Sequence, residues 1–350
     1  MSILQKLWIS AILLGVGGDF VKRNVYIFHD GDFQRSDNTV YFDTGKGGKY
    51  LPIENLNEIF IFSEVKITKK LLELFAQKEI TVHFFNYFGY YVGSFYPREH
   101  LNSGYMILKQ AEYYLDEKKR NHLAYLFVKG AAKNIRKVLL YYKSRGKEVA
   151  DILNHIETLM EKLSPDQSIE QLMALEGNIR ESYYSAFDSI LENKDFLFEK
   201  RSKRPPKNRL NALISFGNSI MYTIVLSEIY KTHLDPRIGY LHSTNFRRFS
   251  LNLDVAEIFK PIIVDRVILS LIGKGILTKK DFEKDMGGIL LKDEGKQKFI
   301  ITLEDKLKAT INHRDLNRPV SYRRLIRMEL YKLEKHLIGE NEYEAFEAQW

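Results

Sequence analysis

The chain has 350 residues, a formal net charge of +8 at pH 7 and no cysteine. This length allows two domains with separate cores, because single hydrophobic cores stop growing near ~250–300 residues. The lack of cysteine excludes disulfide bonds and thiolate metal sites, and it fits a reducing, cytoplasmic location. The basic balance favours a polyanionic partner without requiring one.

Residues 1–20 contain an apolar run that is too short for a membrane span, which needs ~20 apolar residues. One lysine before the run and small residues after it give a superficial resemblance to a signal peptide. The charged Val21-Lys22-Arg23 segment that follows argues against export. We therefore interpret residues 1–20 as an upstream extension without an assigned function, and we expect a cytoplasmic protein without a membrane partner.

Residues 24–97 have the pattern of β structure. Short runs rich in Val, Ile, Tyr and Phe alternate with turn signals such as Asp30-Gly31 and Ser36-Asp37-Asn38, which is typical of strands. One amphipathic stretch, residues 67–79, predicts a helix. The predicted strands are residues 25–29, 39–43, 58–62, 80–86 and 90–96.

After Pro97-Arg98 the pattern becomes helical. Apolar residues recur at helical spacing, and Pro, Gly and Asp interrupt them. The change of pattern near residues 97–104 predicts one domain boundary, with a β-rich domain over residues 21–100 and a helical domain over residues 101–340. The predicted helices are residues 105–143, 149–163, 169–191, 210–230, 254–273, 279–284 and 318–337.

Glu176 is the first candidate site residue. It lies on or beside the apolar stripe of its predicted helix, where a carboxylate is costly unless it is paired or binds a metal. The alternative is an exposed helix glutamate that pairs with Arg180 at the i,i+4 spacing.

His242, Asp254 and Glu257 form the second candidate group. Asp254 and Glu257 are three residues apart, so on a helix both point the same way. Asp254 is also a candidate N-cap with Glu257 as its partner at the third position, a variant of the capping box. An imidazole and two or three carboxylates from distant helical segments can surround a divalent cation such as Mg²⁺ or Mn²⁺.

Four cationic residues are candidates for contacts with DNA phosphates. Arg209 ends the basic, proline-containing loop of residues 201–209, and Arg247, Arg248 and Lys260 lie near the candidate acids. Such contacts are salt-dependent and largely blind to sequence. Since charge runs are usually solvated, a solvated connector and a turn remain alternatives.

Several motifs, in order along residues 21–335, resemble one family: the CRISPR-associated integrase-endonuclease of the spacer-adaptation complex, the first-numbered Cas protein. The motifs include I-T-V-H-F-F-N-Y-F-G-Y-Y-V-G-S-F, M-A-L-E-G-N-I-R-E-S-Y-Y, D-P-R-I-G-Y-L-H and F-S-L-N-L-D-V-A-E-I-F-K-P. The family places metal ligands at the Glu of the E-G motif, at the His after the G-Y dipeptide and at the last acid of D-x-x-E/D. This implies Glu176, His242 and Glu257 as ligands, with Asp254 as a supporting residue or cap.

The resemblance implies an α+β fold, with an N-terminal β-sandwich-like domain that forms a homodimer and a larger all-α catalytic domain. It implies a Mg²⁺- or Mn²⁺-dependent DNA endonuclease and integrase that inserts captured DNA as new spacers into a CRISPR array, by attack of a 3′-hydroxyl on a phosphodiester. The implied partners are DNA and the small second-numbered Cas protein. A mobile-element integrase with the same catalytic domain and a non-catalytic DNA-binding scaffold remain open alternatives.

Overall fold

The computed structural model describes residues 22–98, 101, 103–242, 249–313 and 316–349, so the extension of residues 1–20 lies outside the described residues. The chain divides into two compact units, one ending at residue 100 and the other beginning at residue 101. Strands dominate the first unit and helices the second. The predicted α+β fold class is therefore confirmed.

The first unit contains two four-stranded sheets around one hydrophobic core. Its strands are β1 Arg23–Ile27, β2 Gly31–Ser36, β3 Thr39–Asp43, β4 Gly48–Pro52, β5 Leu56–Ile61, β6 Val65–Ile67, β7 Thr81–Phe85 and β8 Tyr91–Phe95. One sheet has the order β1-β5-β7-β8 and the other the order β4-β3-β2-β6. Both sheets contribute side chains to the core, as the predicted sandwich-like arrangement requires.

The predicted helix of this unit is α1, Lys69–Gln77. The Thr68 side chain accepts a hydrogen bond from the Leu71 backbone N–H and so caps its start. Leu71, Leu74 and Phe75 on its apolar face are buried in the same core as the side chains of both sheets.

Three strands of this unit were not predicted: β2, β4 and β6. The β2 strand begins inside the Asp30-Gly31 turn signal, and β6 has only three residues, paired in parallel with β2. A strand this short is ordered by its partner, so its own residues carry little signal.

The second unit is mostly helical. Its α-helices are α2 Gly104–Leu115, α3 Glu117–Lys143, α4 Ala150–Glu161, α5 Ile169–Leu191, α6 Arg209–Ile229, α7 Leu251–Phe259, α8 Arg266–Gly273, α9 Asp293–Lys308 and α10 Tyr322–Leu337. By length and composition alone, α6 is apolar enough to cross a membrane, but most of it is buried inside the protein. It is therefore the core helix of this unit.

The prediction of one helix over residues 105–143 was wrong. The helix breaks at Asp116, whose backbone is extended and whose side chain accepts a hydrogen bond of 3.0 Å from the Lys119 backbone N–H. Asp116 thus caps α3 instead of continuing α2, because a short carboxylate satisfies N–H groups that a helix start leaves unpaired.

The second unit also contains two hairpins, so its prediction as all-α was incomplete. Residues 279–284, predicted as a helix, form a short 3₁₀ turn followed by β9 Phe282–Asp285, which pairs with β10 Gly288–Leu291. Met286 and Gly287 join these strands with φ of 44° and 74°, as a tight two-residue hairpin turn requires. The first four residues of the predicted helix 318–337 are instead β12 Arg318–Ser321, which pairs with β11 Thr310–His313.

The C-terminal segment of residues 341–349 is tied to the helical core through Asn134 on α3. The Asn134 amide nitrogen donates 2.9 Å hydrogen bonds to the backbone carbonyls of Ile258 and Phe346. Its oxygen accepts a 2.8 Å bond from the Ala348 backbone N–H. One buried side chain therefore links the C-terminal segment to α7, the helix that carries Asp254 and Glu257.

Replacing Asn134 by Ala should lower the free energy of unfolding by about 2–4 kcal/mol, because each buried polar group left unpaired costs ~1–3 kcal/mol. Urea unfolding of the variant measures this loss. The matched control is Asn154→Ala on the exposed face of α4, which should stay within about 0.5 kcal/mol of the wild type. Equal unfolding midpoints for the two variants would contradict the role of Asn134.

Candidate metal centre

The carboxylate of Asp254 has no exposed surface. The α7 helix begins at Leu251, and Asp254 lies in its first turn. The alternative prediction, in which Asp254 is the N-cap of this helix, was therefore wrong. The oxygens of Asp254 accept hydrogen bonds from the backbone N–H groups of Tyr240, Leu241 and His242 at 2.6, 3.1 and 2.9 Å. Asp254 therefore organises the turn that presents His242.

The same carboxylate holds the His242 ring. Nδ1 of His242 lies 2.8 Å from Oδ1 of Asp254. Burial alone would lower the pKa of His242, but the hydrogen bond to Asp254 and the Asp254 charge outweigh burial and raise it. With Nδ1 committed to a carboxylate, Nε2 is the ring nitrogen that remains for a ligand, which is the usual arrangement behind metal-binding histidines.

Gly239 allows this arrangement. A Cβ at this position would lie 2.8 Å from Oδ2 of Asp254 and 2.7 Å from the Ser250 carbonyl carbon, so the turn approaches α7 too closely for a side chain. The G-Y-L-H motif therefore needs glycine at its first position for steric reasons.

Glu176 and Glu257 meet at one guanidinium group. Arg180 Nε lies 2.7 Å from Oε1 of Glu176, one turn earlier on α5, and Arg180 Nη2 pairs with Oε2 of Glu257 on α7. The i,i+4 pair that was the alternative interpretation of Glu176 thus exists, and it is part of the site. The two glutamates are 81 positions apart in the sequence, and both contact the Arg180 side chain.

The other oxygen of Glu257 pairs with a second cation. Oε1 of Glu257 lies 2.6 Å from Lys260 Nζ and 3.4 Å from the Tyr222 hydroxyl. Burial would raise the pKa of Glu257, but Arg180, Lys260 and His242 more than offset it and hold the pKa far below its ordinary value. Burial and the Glu257 charge raise the pKa of Tyr222, so its hydroxyl stays protonated.

The three predicted ligands share one electrostatic neighbourhood, since both Glu257 and Glu176 raise the pKa of His242. Within the described ranges, however, no group of three His, Asp or Glu side chains is already arranged to bind a metal ion. Arg180 and Lys260 account for the lack of such a group, because they pair with the glutamate oxygens that a metal would use. The donor types fit a divalent cation, provided that a glutamate oxygen exchanges its cationic partner for the metal.

The structure places the four predicted DNA contacts differently. Lys260 is buried and paired with Glu257, which is not the position of a surface phosphate contact. Arg209 donates a 2.9 Å hydrogen bond to the Asp195 carbonyl. Arg247 and Arg248 lie outside the described residues. DNA binding by Arg209, Arg247, Arg248 and Lys260 stays a prediction.

Asp265 is a further acid close to Arg180 and Lys260 that was not predicted from the sequence. It is fully buried at the end of the π-helical segment Pro261–Asp265 between α7 and α8. Burial raises its pKa to about 7, although the Arg180 and Lys260 charges act against the rise. In the sequence, the signal for this residue is that Asp265 is the single acid in the mostly apolar run from Ile262 to Ile272. π-helical turns within helices are frequent at functional sites.

A family model described as CRISPR associated protein Cas1 matches residues 25–305. The chain belongs to the Cas1 family. It is 58% identical over 330 residues to a CRISPR-associated endonuclease Cas1 of Thermodesulfovibrio yellowstonii, covering 94% of this chain and 100% of that protein. It is 51% identical over 317 residues to the CRISPR-associated endonuclease Cas1 of Thermotoga maritima, covering 91% of this chain and 97% of that protein.

Two solved structures have the same fold as this chain. A Cas1 structure from Thermotoga maritima matches with a TM-score of 0.82 and 48% identity, covering 93% of this chain and 100% of that one. A casposase bound to integration product matches with a TM-score of 0.80 but only 19% identity, covering 94% of each chain. The casposase likeness therefore concerns the fold alone, and the resemblance to the Cas1 family is confirmed.

Replacing Arg180 by Met in this Cas1 family member should lower the free energy of unfolding in metal-free buffer by about 3–5 kcal/mol, because it leaves the buried Glu257 without one of its two cations. Urea unfolding in EDTA measures the loss. Arg180→Lys keeps the charge and should lose less. The double variant Arg180→Met with Glu257→Gln should recover part of the loss, and a double variant less stable than Arg180→Met would contradict the ion-pair account.

Proposed function

We propose that the chain is a divalent-metal-dependent DNA endonuclease and strand-transfer integrase that inserts captured DNA into a CRISPR array. The observation that carries the proposal is the meeting of Glu176 and Glu257 at Arg180, beside a His242 ring fixed by Asp254. Relatives at 58% and 51% identity are named CRISPR-associated endonucleases, which supports the reaction class.

Glu176, His242 and Glu257 would hold the metal, with Mg²⁺ and Mn²⁺ both compatible with two carboxylates and an imidazole. When bound, a divalent cation neutralises charge on the phosphodiester and activates the attacking oxygen. Asp254 keeps the imidazole in one orientation through Nδ1. Lys260 and Arg180 keep Glu257 ionised, so it needs no deprotonation before it binds a cation.

The helical unit would carry this chemistry, and the β-rich unit would form the homodimer. DNA, as captured duplex and as CRISPR array, would be the substrate. A solved complex that contains Cas6, reverse transcriptase, Cas1 and Cas2 matches this fold with a TM-score of 0.82 at 17% identity. That likeness is one of fold alone; the proposal of the small second-numbered Cas protein as partner rests on family membership. We further propose that the protein acts in the cytoplasm.

The mobile-element alternative is the weaker one. The casposase shares the fold at 19% identity, whereas the relatives at 58% and 51% identity are CRISPR-associated. Metal-dependent nicking of duplex DNA separates either integrase from a non-catalytic scaffold. The DNA ends that the protein accepts separate the two integrases.

Replacing Glu176 by Ala should abolish Mn²⁺-dependent joining of a short duplex to supercoiled plasmid, because one of the proposed ligands is lost. Gel electrophoresis of the labelled duplex measures joining, and circular dichroism checks the fold. The matched control is Glu181→Ala, an exposed glutamate on the same helix, which should join DNA at the wild-type rate. Unchanged joining by Glu176→Ala would remove this residue from the site.

Replacing His242 by Ala should abolish the same reaction in Mn²⁺ and in Mg²⁺, since the imidazole is the proposed nitrogen ligand. The matched control is His155→Ala, an exposed histidine on α4. Wild-type protein should join no DNA in EDTA. Joining that persists in EDTA, or in His242→Ala at the wild-type rate, would argue for chemistry without this centre.

A further inference from the structure

Helix α3 packs beside the turn that presents His242, and two of its cations are anchored there. Arg120, in the first turn of α3, donates a 3.1 Å hydrogen bond from Nε to the Tyr240 carbonyl. Lys129, nine residues later, donates a 2.9 Å hydrogen bond from Nζ to the Tyr125 hydroxyl. We call Arg120 and Lys129 the α3 cation pair.

Aromatic rings hold both cations of the pair in place. The Arg120 guanidinium carbon lies 4.4 Å from the centre of the Tyr114 ring. Lys129 Nζ lies 5.1 Å from the centre of the Tyr125 ring. A ring face attracts a cation without neutralising its charge. Each of the two side chains is therefore restrained in position and keeps its positive charge.

Tyr125 places Lys129 next to two segments of the candidate metal centre. The Tyr125 ring packs against a cluster of buried apolar side chains that includes Leu172 and Leu241. Leu241 is the residue before His242, and Leu172 lies one turn before the proposed glutamate ligand on α5. Lys129 and its tyrosine are therefore tied to both the helix and the turn that carry proposed ligands.

Among the described residues, no carboxylate forms an ion pair with Arg120 or Lys129. Three other cations of α3 do pair with a glutamate: Lys119, Lys133 and Arg136. Glu170 acts on Arg120 only weakly, because the pKa of Glu170 is lowered mainly by hydrogen bonds from its own backbone N–H and from the Ser168 side chain, with Arg120 the smallest cause. Both members of the pair are partly exposed, so an external anion can reach them.

We propose that Arg120 and Lys129 bind two backbone phosphates of the DNA strand that reaches the metal centre, an inference that rests on the proposed function. Guanidinium and ammonium groups are the usual phosphate ligands. Nine residues of α-helix span ~13.5 Å, several times the ~3.4 Å axial spacing of phosphates along one strand, so each cation contacts its own phosphate. Phosphate contacts carry no base information, so the pair positions the strand without reading its sequence.

The test is binding of a fluorescein-labelled duplex by the full-length protein in EDTA, followed by anisotropy over a range of NaCl concentrations. Each phosphate contact contributes roughly 0.9 to the slope of log affinity against log salt. Arg120→Gln and Lys129→Gln should each bind more weakly and lose about one unit of slope. The double variant should lose about two units, because the two cations contact different phosphates.

Two kinds of control separate these contacts from other effects. Arg120→Lys and Lys129→Arg keep the charges and should keep the wild-type slope. The matched control is Lys143→Gln, an exposed lysine in the last turn of α3 that also has no ion-pair partner within the described ranges, and it should keep the wild-type slope. Circular dichroism checks the fold, and Lys129→Gln tests the pair even if Arg120→Gln does not fold.

Wild-type slopes in both Arg120→Gln and Lys129→Gln, with the wild type binding DNA, would overturn the pair and leave the proposed function intact. A wild type that binds no DNA would overturn both. A loss in Lys143→Gln as large as that in Lys129→Gln would assign the effect to net charge and overturn the contacts. Inorganic phosphate at matched ionic strength should compete no better than chloride, and stronger competition that disappears in the double variant would assign the pair to free phosphate.

Discussion

The placement of two acids around one buried arginine is the constraint on which the site depends. Glu257 is almost completely buried, and an isolated carboxylate there would cost several kcal/mol to remove from water. Arg180 and Lys260 offset that cost on its two oxygens. The chain can therefore keep an ionised carboxylate inside an apolar helical unit. The metal that we propose for this site would have to displace one of these cations from Glu257.

Position is enforced from both ends of α7. At its start, Asp254 pins the turn of Tyr240, Leu241 and His242 through backbone N–H groups. At its end, the Ile258 carbonyl is bound by Asn134, which also holds the C-terminal segment. Glu257 lies between these two anchors. Because α7 is held at both ends, it cannot turn freely about its own axis. Its orientation sets the position of Glu257 relative to His242, whose ring is bound by Asp254 on the same helix.

Local chemistry explains which parts of the structure the sequence predicts. Helix α5 was predicted with both ends correct, because Ser168 and Gln171 form a reciprocal cap at its start and Glu192 ends it with a left-handed backbone. Residues 279–284 were predicted as a helix, but Phe282–Asp285 form the first strand of a hairpin, whose order comes from pairing with Gly288–Leu291 and from the positive φ of Met286. Pairs within one helix, such as Glu176 with Arg180, were visible from spacing. The pair of Arg180 with Glu257 joins different helices and needed the fold.

The most direct test of the proposed metal centre is anomalous diffraction from crystals soaked in Mn²⁺. We expect one or more manganese peaks bounded by Glu176, His242 Nε2 and Glu257, with Arg180 displaced from at least one glutamate. Peaks that lie elsewhere, or none at this position while Arg180 still pairs with both glutamates, would contradict it.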